Sequence, residues 1–176
     1  MGPKKKMAKG GALEKALARK PSGRLNKDDI KRDDRYYGNR TIKSLQRIEE
    51  GKFWDKFSYS ETAGGCGASM RSMPIGLIYH GKNNRNVLME ISIQSSRITH
   101  NNAIGYLGGY ASALFTAFAI EKIKLEEWIF KLIENLKSSE LKNFIKNIVC
   151  KEFPDDYDKH MEDLKSFTIL AQTYVD

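Results

Sequence analysis

The run Gly105-Tyr106-Leu107-Gly108-Gly109, continued by Ala111, Ala113 and Ala117, sets small residues every three or four positions through an otherwise apolar stretch. On a helix that spacing leaves one side of the cylinder nearly bare, so that neighbouring helices can approach closely. The run therefore predicts a tightly packed helix over residues 106–123, the most buried part of the chain. Other segments repeat the helical period. Ile42, Leu45 and Ile48 recur at three-residue spacing from Thr41, with Gly51 placed to close the helix. Leu88, Ile91, Ser95 and Ile98 share a face over 87–98, where the β-branched content would allow a strand but the spacing prefers a helix. Trp128, Ile129, Leu132, Ile133 and Leu136 form one stripe over 126–137, and Leu141, Phe144, Ile145, Ile148 and Val149 form another over 140–150. A last helix carries Leu164, Phe167, Leu170 and Ala171 beyond the break at Phe153-Pro154-Asp155-Asp156-Tyr157. Hairpin signals are scarce and no repeat is evident, so an all-α fold is expected.

With 176 residues the chain suits one domain. Its formal net charge of +8 is unevenly spread: residues 1–40 hold 13 Lys and Arg against 5 acids, and the remainder holds 17 of each. Residues 1–35 read as a basic, poorly ordered extension, with a Lys run, Gly10-Gly11 and the breaker Pro21-Ser22-Gly23. A domain over 36–176 follows. Because the basicity belongs to the head, it does not argue for a nucleic-acid-binding domain; only residues 1–35 could act as a polyanion-binding or nuclear-localisation patch. No apolar run approaches the roughly 20 residues of a membrane span, the longest being 111–120, and no apolar segment follows the basic start as in a secretory signal. No membrane partner is expected. Cys66 and Cys150 lie far apart without metal spacing, so reduced thiols and a cytoplasmic setting are the default.

The chemistry concentrates in Gly64-Gly65-Cys66-Gly67-Ala68-Ser69-Met70-Arg71, read with Ser96-Arg97-Ile98-Thr99-His100 and Gly105 to Gly109. Glycines let backbone N–H groups approach a ligand, and a helix starting just behind them presents unpaired amides and a positive dipole end. Phosphate or pyrophosphate suits such a place. His100, just before the small-residue helix, is the best single candidate side chain, although Asn101 or Asn102 could cap that helix while His100 bonds a carbonyl. His80 and His160 read as surface groups. Met70, Met73, Leu77 and Ile78 follow the glycines at helical spacing and read as core, with Pro74 bending or shortening the helix. Asp155-Asp156 after Pro154 would serve as a helix N-cap. Asp28-Asp29 and Asp33-Asp34 sit among basic residues, where self-neutralisation is the simpler account.

These segments resemble the ADP-ribosylglycohydrolase family, in particular the ADP-ribosylarginine hydrolases. The likeness covers about residues 36–176 in order, and extends to Phe153-Pro154-Asp155-Asp156-Tyr157-Asp158. It implies an all-α fold and an enzyme that removes ADP-ribose from modified arginine on proteins, with two magnesium ions at the base of an ADP-ribose cleft. By the resemblance Gly65, Cys66, Gly67, Ala68, Ser69 and Met70 border the diphosphate and distal ribose. Gly105, Tyr106 and Leu107 line the other side, with Tyr106 offering an aromatic surface. The family's Thr/Ser-Asp-Asp-Thr and Gly-Asp-x-Asp-Ser types of magnesium motif do not occur in this sequence. No catalytic residue or metal ligand is therefore assigned. A partial helical domain with little activity in isolation is expected, a central fragment or truncated relative; a non-catalytic ADP-ribose-binding or interaction module is the alternative. ADP-ribose or an ADP-ribosylated protein is the expected partner.

Overall fold

A computed structural model describes residues 38–175, which hold seven α-helices and no strand. They are α1 (Asn39–Glu49), α2 (Gly67–Ile78), α3 (Arg85–Arg97), α4 (Ala103–Ile120), α5 (Leu125–Lys137), α6 (Ser139–Phe144) and α7 (Tyr157–Gln172). Short 3-10 turns at Trp54–Lys56, Glu61–Ala63, Lys82–Asn84 and Pro154–Asp156 punctuate the connections, and α6 runs on into a wider turn at Ile145–Val149. The extension expected at residues 1–35 lies outside the described residues.

The small-residue helix, α4, is the packing centre, with α2, α3, α5 and α7 all against it. It begins three residues earlier than the spacing predicts, because Asn102 caps it: the Asn102 Oδ1 accepts from the N–H groups of Ile104 (2.9 Å) and Gly105 (3.4 Å). At 18 residues it is long and apolar enough to cross a bilayer, more so than the sequence reading of 111–120 allowed; here 61% of it is buried inside the protein. Tyr106, Leu107, Tyr110, Leu114 and Phe118 fill the core with Leu88 and Ile93 of α3, Leu132 and Leu136 of α5 and Leu164 of α7. Phe115 stacks on Trp128 at 5.5 Å, closing the α4–α5 end.

The close approach of α2 to α4 reverses one expectation. The face that α2 buries is Ala68, Ser72 and Gly76, whereas Met70 (72% exposed), Met73, Leu77 and Ile78 face outward rather than into the core. Two helices lying nearly backbone to backbone select small residues at their contact, which turns the large ones away. A Cβ at Gly76 would overlap the carbonyl oxygen of Ala113. Pro74 sits on that outward face, and the helix passes through it to Ile78.

The face of α3 is also rotated from the expected one: Leu88, Met89, Ser92, Ile93, Ser96 and Arg97 are buried, and Ile91, Ser95 and Ile98 only partly so. Ser92 and Ser96 return their hydroxyls to helix carbonyls (3.0 and 2.6 Å), which lets polar side chains sit against α4. Arg97 is taken inside by three acceptors, Asn101 Oδ1 (2.9 Å), Gln94 Oε1 (2.6 Å) and the Val149 carbonyl (3.0 Å), so it ties α3 to the turn after α6. In α1, closed by Gly51 at φ +84°, Leu45 and Ile48 are exposed and Ser44 is buried. This helix attaches through side chains: Ser44 Oγ donates to the Thr99 carbonyl (3.4 Å), and Arg47 lies 3.9 Å over the Phe57 ring.

Two expectations at the C-terminal end also change. His160 is buried, not a surface group, with its Nδ1 3.3 Å from the Tyr106 hydroxyl and its ring edge-on to Tyr59 at 5.1 Å. Asp156 does not cap α7 with its side chain; its Oδ2 accepts the Tyr59 N–H (2.9 Å) instead, because the 57–60 segment brings that amide within reach.

Candidate anion-binding site

The turn between α3 and α4, the glycine loop before α2 and the start of α1 converge at the N-terminus of α2. The loop arrives through 57–63, which is fastened to that turn: Ser60 N–H donates to the Asn101 carbonyl (3.0 Å), Asn101 Nδ2 to the Phe57 carbonyl (2.6 Å) and Asn102 Nδ2 to the Tyr59 hydroxyl (3.1 Å). Helix α2 then starts with no side chain capping it. Its first intrahelical bond is Met70 N–H to the Cys66 carbonyl (3.2 Å), so the amides of Gly67, Ala68 and Ser69 precede any bond of that ladder. Partial positive charge collects there.

His100 forms the wall. It is 3% exposed, and its ring edge presses on the loop: a Cβ at Gly67 would come within 2.9 Å of Cε1 and 3.2 Å of Nε2, and one at Gly65 would lie 3.7 Å from Nε2. Any side chain at 67 would displace that ring, which accounts for the glycine. Nδ1 is engaged by Thr99 Oγ1 at 2.7 Å, whereas Nε2 has no hydrogen-bond partner among the described residues. Burial first, then the cations of Arg71 and Arg40, hold the imidazole pKa down at about 4, so the ring is neutral near pH 7. Arg71 bonds the Gly67 carbonyl (3.0 Å) and Thr99 Oγ1 (2.5 Å), and Arg40 bonds Ser60 Oγ. Two permanent cations, a neutral ring N and a row of helix-start amides make a place for an anion.

The residues expected to border a ligand divide by depth. Gly65, Cys66 and Met70 are exposed, and Gly67 and Ser69 are half-buried, all near the mouth. Ala68, Gly105, Tyr106 and Leu107 are buried beneath it. Tyr106 does not present an aromatic surface: its ring is fully buried, with its hydroxyl turned to His160. Leu107 is likewise core. Both point inward because α4 presents its small residues to α2 and its large ones to α3, α5 and α7. The contribution of Gly105 is also beneath the surface, since a Cβ there would overlap the Ala63 carbonyl oxygen and come within 2.9 Å of His100 Cβ. Arg40 and Arg71 are the groups that sequence reasoning left without a role. Arg71 stands four residues after the last loop glycine, one helical turn away, which is the only sequence signal for it.

For magnesium, implied by the resemblance, the described residues offer no ready set of ligands. Among the described residues no three His, Cys, Asp or Glu side chains come together, and Asp156 is spent on Tyr59 and Lys159. No metal-borne step is assigned to these residues. Asp28, Asp29, Asp33 and Asp34 lie outside them.

Comparison with known proteins bears on the family. The ADP-ribosylglycohydrolase family model matches residues 7–172, a span that begins within the basic head. The Acanthamoeba polyphaga mimivirus protein L444, named for ADP-ribosyl glycohydrolase, is 39% identical over 142 residues, 81% of this chain and 27% of its own length. The ADP-ribosylhydrolase ARH1 of Dictyostelium discoideum is 49% identical over 80 residues, 46% of this chain and 20% of its own. An uncharacterized protein of Archaeoglobus fulgidus is 27% identical over 116 residues, 65% of this chain and 36% of its own. The chain thus spans between a fifth and little more than a third of the curated relatives it matches. With the family model covering nearly its whole length, the chain belongs to the ADP-ribosylglycohydrolase family.

Proposed function

We propose that this chain is the ADP-ribose-holding part of an ADP-ribosylarginine hydrolase, with the diphosphate seated over the 65–67 loop at the start of α2. One observation carries the reading: His100, nine-tenths buried, turns onto the glycine loop an Nε2 that has no hydrogen-bond partner among the described residues, where a phosphate oxygen would meet it. The arginine preference rests on the resemblance of the Gly64–Arg71, Ser96–His100 and Gly105–Gly109 segments to the ADP-ribosylarginine hydrolases. Magnesium, if used, would be held by residues other than those described. On this proposal the chain alone binds ADP-ribose without hydrolysing arginine-linked ADP-ribose, and localisation to the cytoplasm is part of the same proposal.

Calorimetric titration tests the binding: saturable heat with ADP-ribose is expected, and no heat at millimolar ligand would remove the reading. The thiols give a second readout. Cys66 is exposed at the loop, whereas Cys150 is buried, and burial pushes its thiol up to about 11. An aromatic disulfide reagent should therefore label one thiol quickly, and saturating ADP-ribose should slow that labelling by about tenfold or more. Labelling of Cys66 that ignores the ligand would place ADP-ribose elsewhere. Incubation with Mg²⁺ and arginine-ADP-ribosylated protein tests inactivity; release of ADP-ribose at the rate of a full-length relative would overturn it.

A further inference from the structure

We infer that Arg71 and Thr99 are positioning residues, which hold His100 as the single tautomer that carries its proton on Nε2 and aims it at the glycine loop. The guanidinium of Arg71 has donors only. Its NH1 bonds the Gly67 carbonyl (3.0 Å), and its NH2 lies within reach of the carbonyls of Ser95 (3.2 Å) and Ser96 (3.3 Å) and of Thr99 Oγ1 (2.5 Å). Thr99 Oγ1 must accept from Arg71, since a guanidinium accepts nothing. The hydroxyl keeps one proton to give, and among the described residues the one acceptor it reaches is His100 Nδ1, at 2.7 Å. Thr99 is 6% exposed, so a proton pointed elsewhere would be buried without a partner. Nδ1 therefore accepts, and in a neutral imidazole Nε2 then bears the hydrogen.

The opposite tautomer would set a lone pair against the loop, where an anion is to bind, and would strand the Thr99 proton. The imidazolium is disfavoured first by burial and then by the cations of Arg71 and Arg40 beside the ring. Arg71 has no carboxylate partner among the described residues. Its charge is met instead by carbonyls at the C-terminal end of α3 and by the Gly67 carbonyl in the first turn of α2, so one planar fork joins both helices to the hydroxyl that sets the ring. A lysine would keep the charge and lose the fork.

The tautomer is read directly from ¹⁵N chemical shifts of the His100 ring in the full chain, without ligand, at pH 7. Wild type should show a protonated Nε2 and a bare Nδ1. Thr99→Ser should match it, whereas Thr99→Val and Arg71→Lys should move both shifts toward exchange-averaged values. A wild-type ring protonated on Nδ1, or a Thr99→Val ring identical to wild type, overturns the inference. The wild-type measurement stands even if a variant fails to fold. The affinity arm alone rests on the ADP-ribose reading: Thr99→Val and Arg71→Lys should each weaken ADP-ribose about tenfold, a loss that Thr99→Ser restores. A wild-type ring with the expected tautomer in a protein that gives no heat with ADP-ribose supports the positioning and overturns the ligand.

Discussion

Gly105→Ala is expected to destabilise the protein by about 3 kcal/mol, or roughly 10 °C in Tm for a domain of this size, and to weaken ADP-ribose binding by tenfold or more. The added Cβ gains about 0.5–1 kcal/mol of helix propensity in α4. Against that, it would overlap the Ala63 carbonyl oxygen and press on His100 Cβ at 2.9 Å. Ala63 ends the 3-10 turn that delivers the glycine loop, so relief of the overlap moves the loop and the histidine apart. Gly76→Ala meets an equally hard obstacle, the Ala113 carbonyl, but on the far part of α2. It should lower Tm to a similar extent while leaving the ADP-ribose affinity of the folded fraction near wild type. Chemical denaturation and calorimetry on the two variants separate the effects. A Gly105→Ala protein within about 0.5 kcal/mol of wild type would show that the turn tolerates a side chain, against the packing argument.

Parts of this molecule can be read from the chain and others cannot, for physical reasons. Helical class follows from local spacing: Leu132 and Leu136 of α5 are four apart, Leu141 and Phe144 of α6 are three apart, and Ile145 in the turn that continues α6 is four beyond Leu141, all of them buried. The glycine loop is legible because a run of glycines before an apolar helix has few physical purposes. Orientation is another matter. Helix α2 mixes apolar and polar residues around its circumference, so its sequence marks no clear face, and the buried side was decided by the bare stripe of α4 some thirty residues later. Tyr106 and Leu107 follow the same rule, since each step along a helix turns the side chain by about 100°, which carries both away from the side that Gly105 gives to the loop. Arg71 and Arg40 acquire roles only when three segments meet. His160 went inside because Tyr106 and Tyr59 supply it with a polar contact and an aromatic wall.

Stability should fall steeply as the pH drops from about 6.5 toward 5, with a slope approaching two protons, or about 2.7 kcal/mol per pH unit. His100 and His160 are both buried, and both have pKa values near 4, set first by burial and then by neighbouring cations, Arg71 and Arg40 for the one and Arg97 for the other. In the unfolded chain each returns to about 6.5. Above that pH neither state holds the protons, so the histidines add no slope. Between 6.5 and 4 the unfolded chain binds them and the folded chain does not, which favours unfolding as acid is added. Each group then removes on the order of 3 kcal/mol by pH 4, and the pair removes as much as many domains possess. Acid unfolding near pH 5 is the expected result. Urea unfolding measured in steps from pH 8 to 5 checks it, and His160→Gln, which keeps a polar group opposite the Tyr106 hydroxyl but does not titrate, should halve the slope. A flat profile through pH 6 in wild type would mean that one or both rings reach water in the folded state. ADP-ribose adds a diagnostic, because an anion over the loop favours a charged His100: bound ligand should make the acid limb shallower in His160→Gln, where His100 is the remaining buried histidine among the described residues.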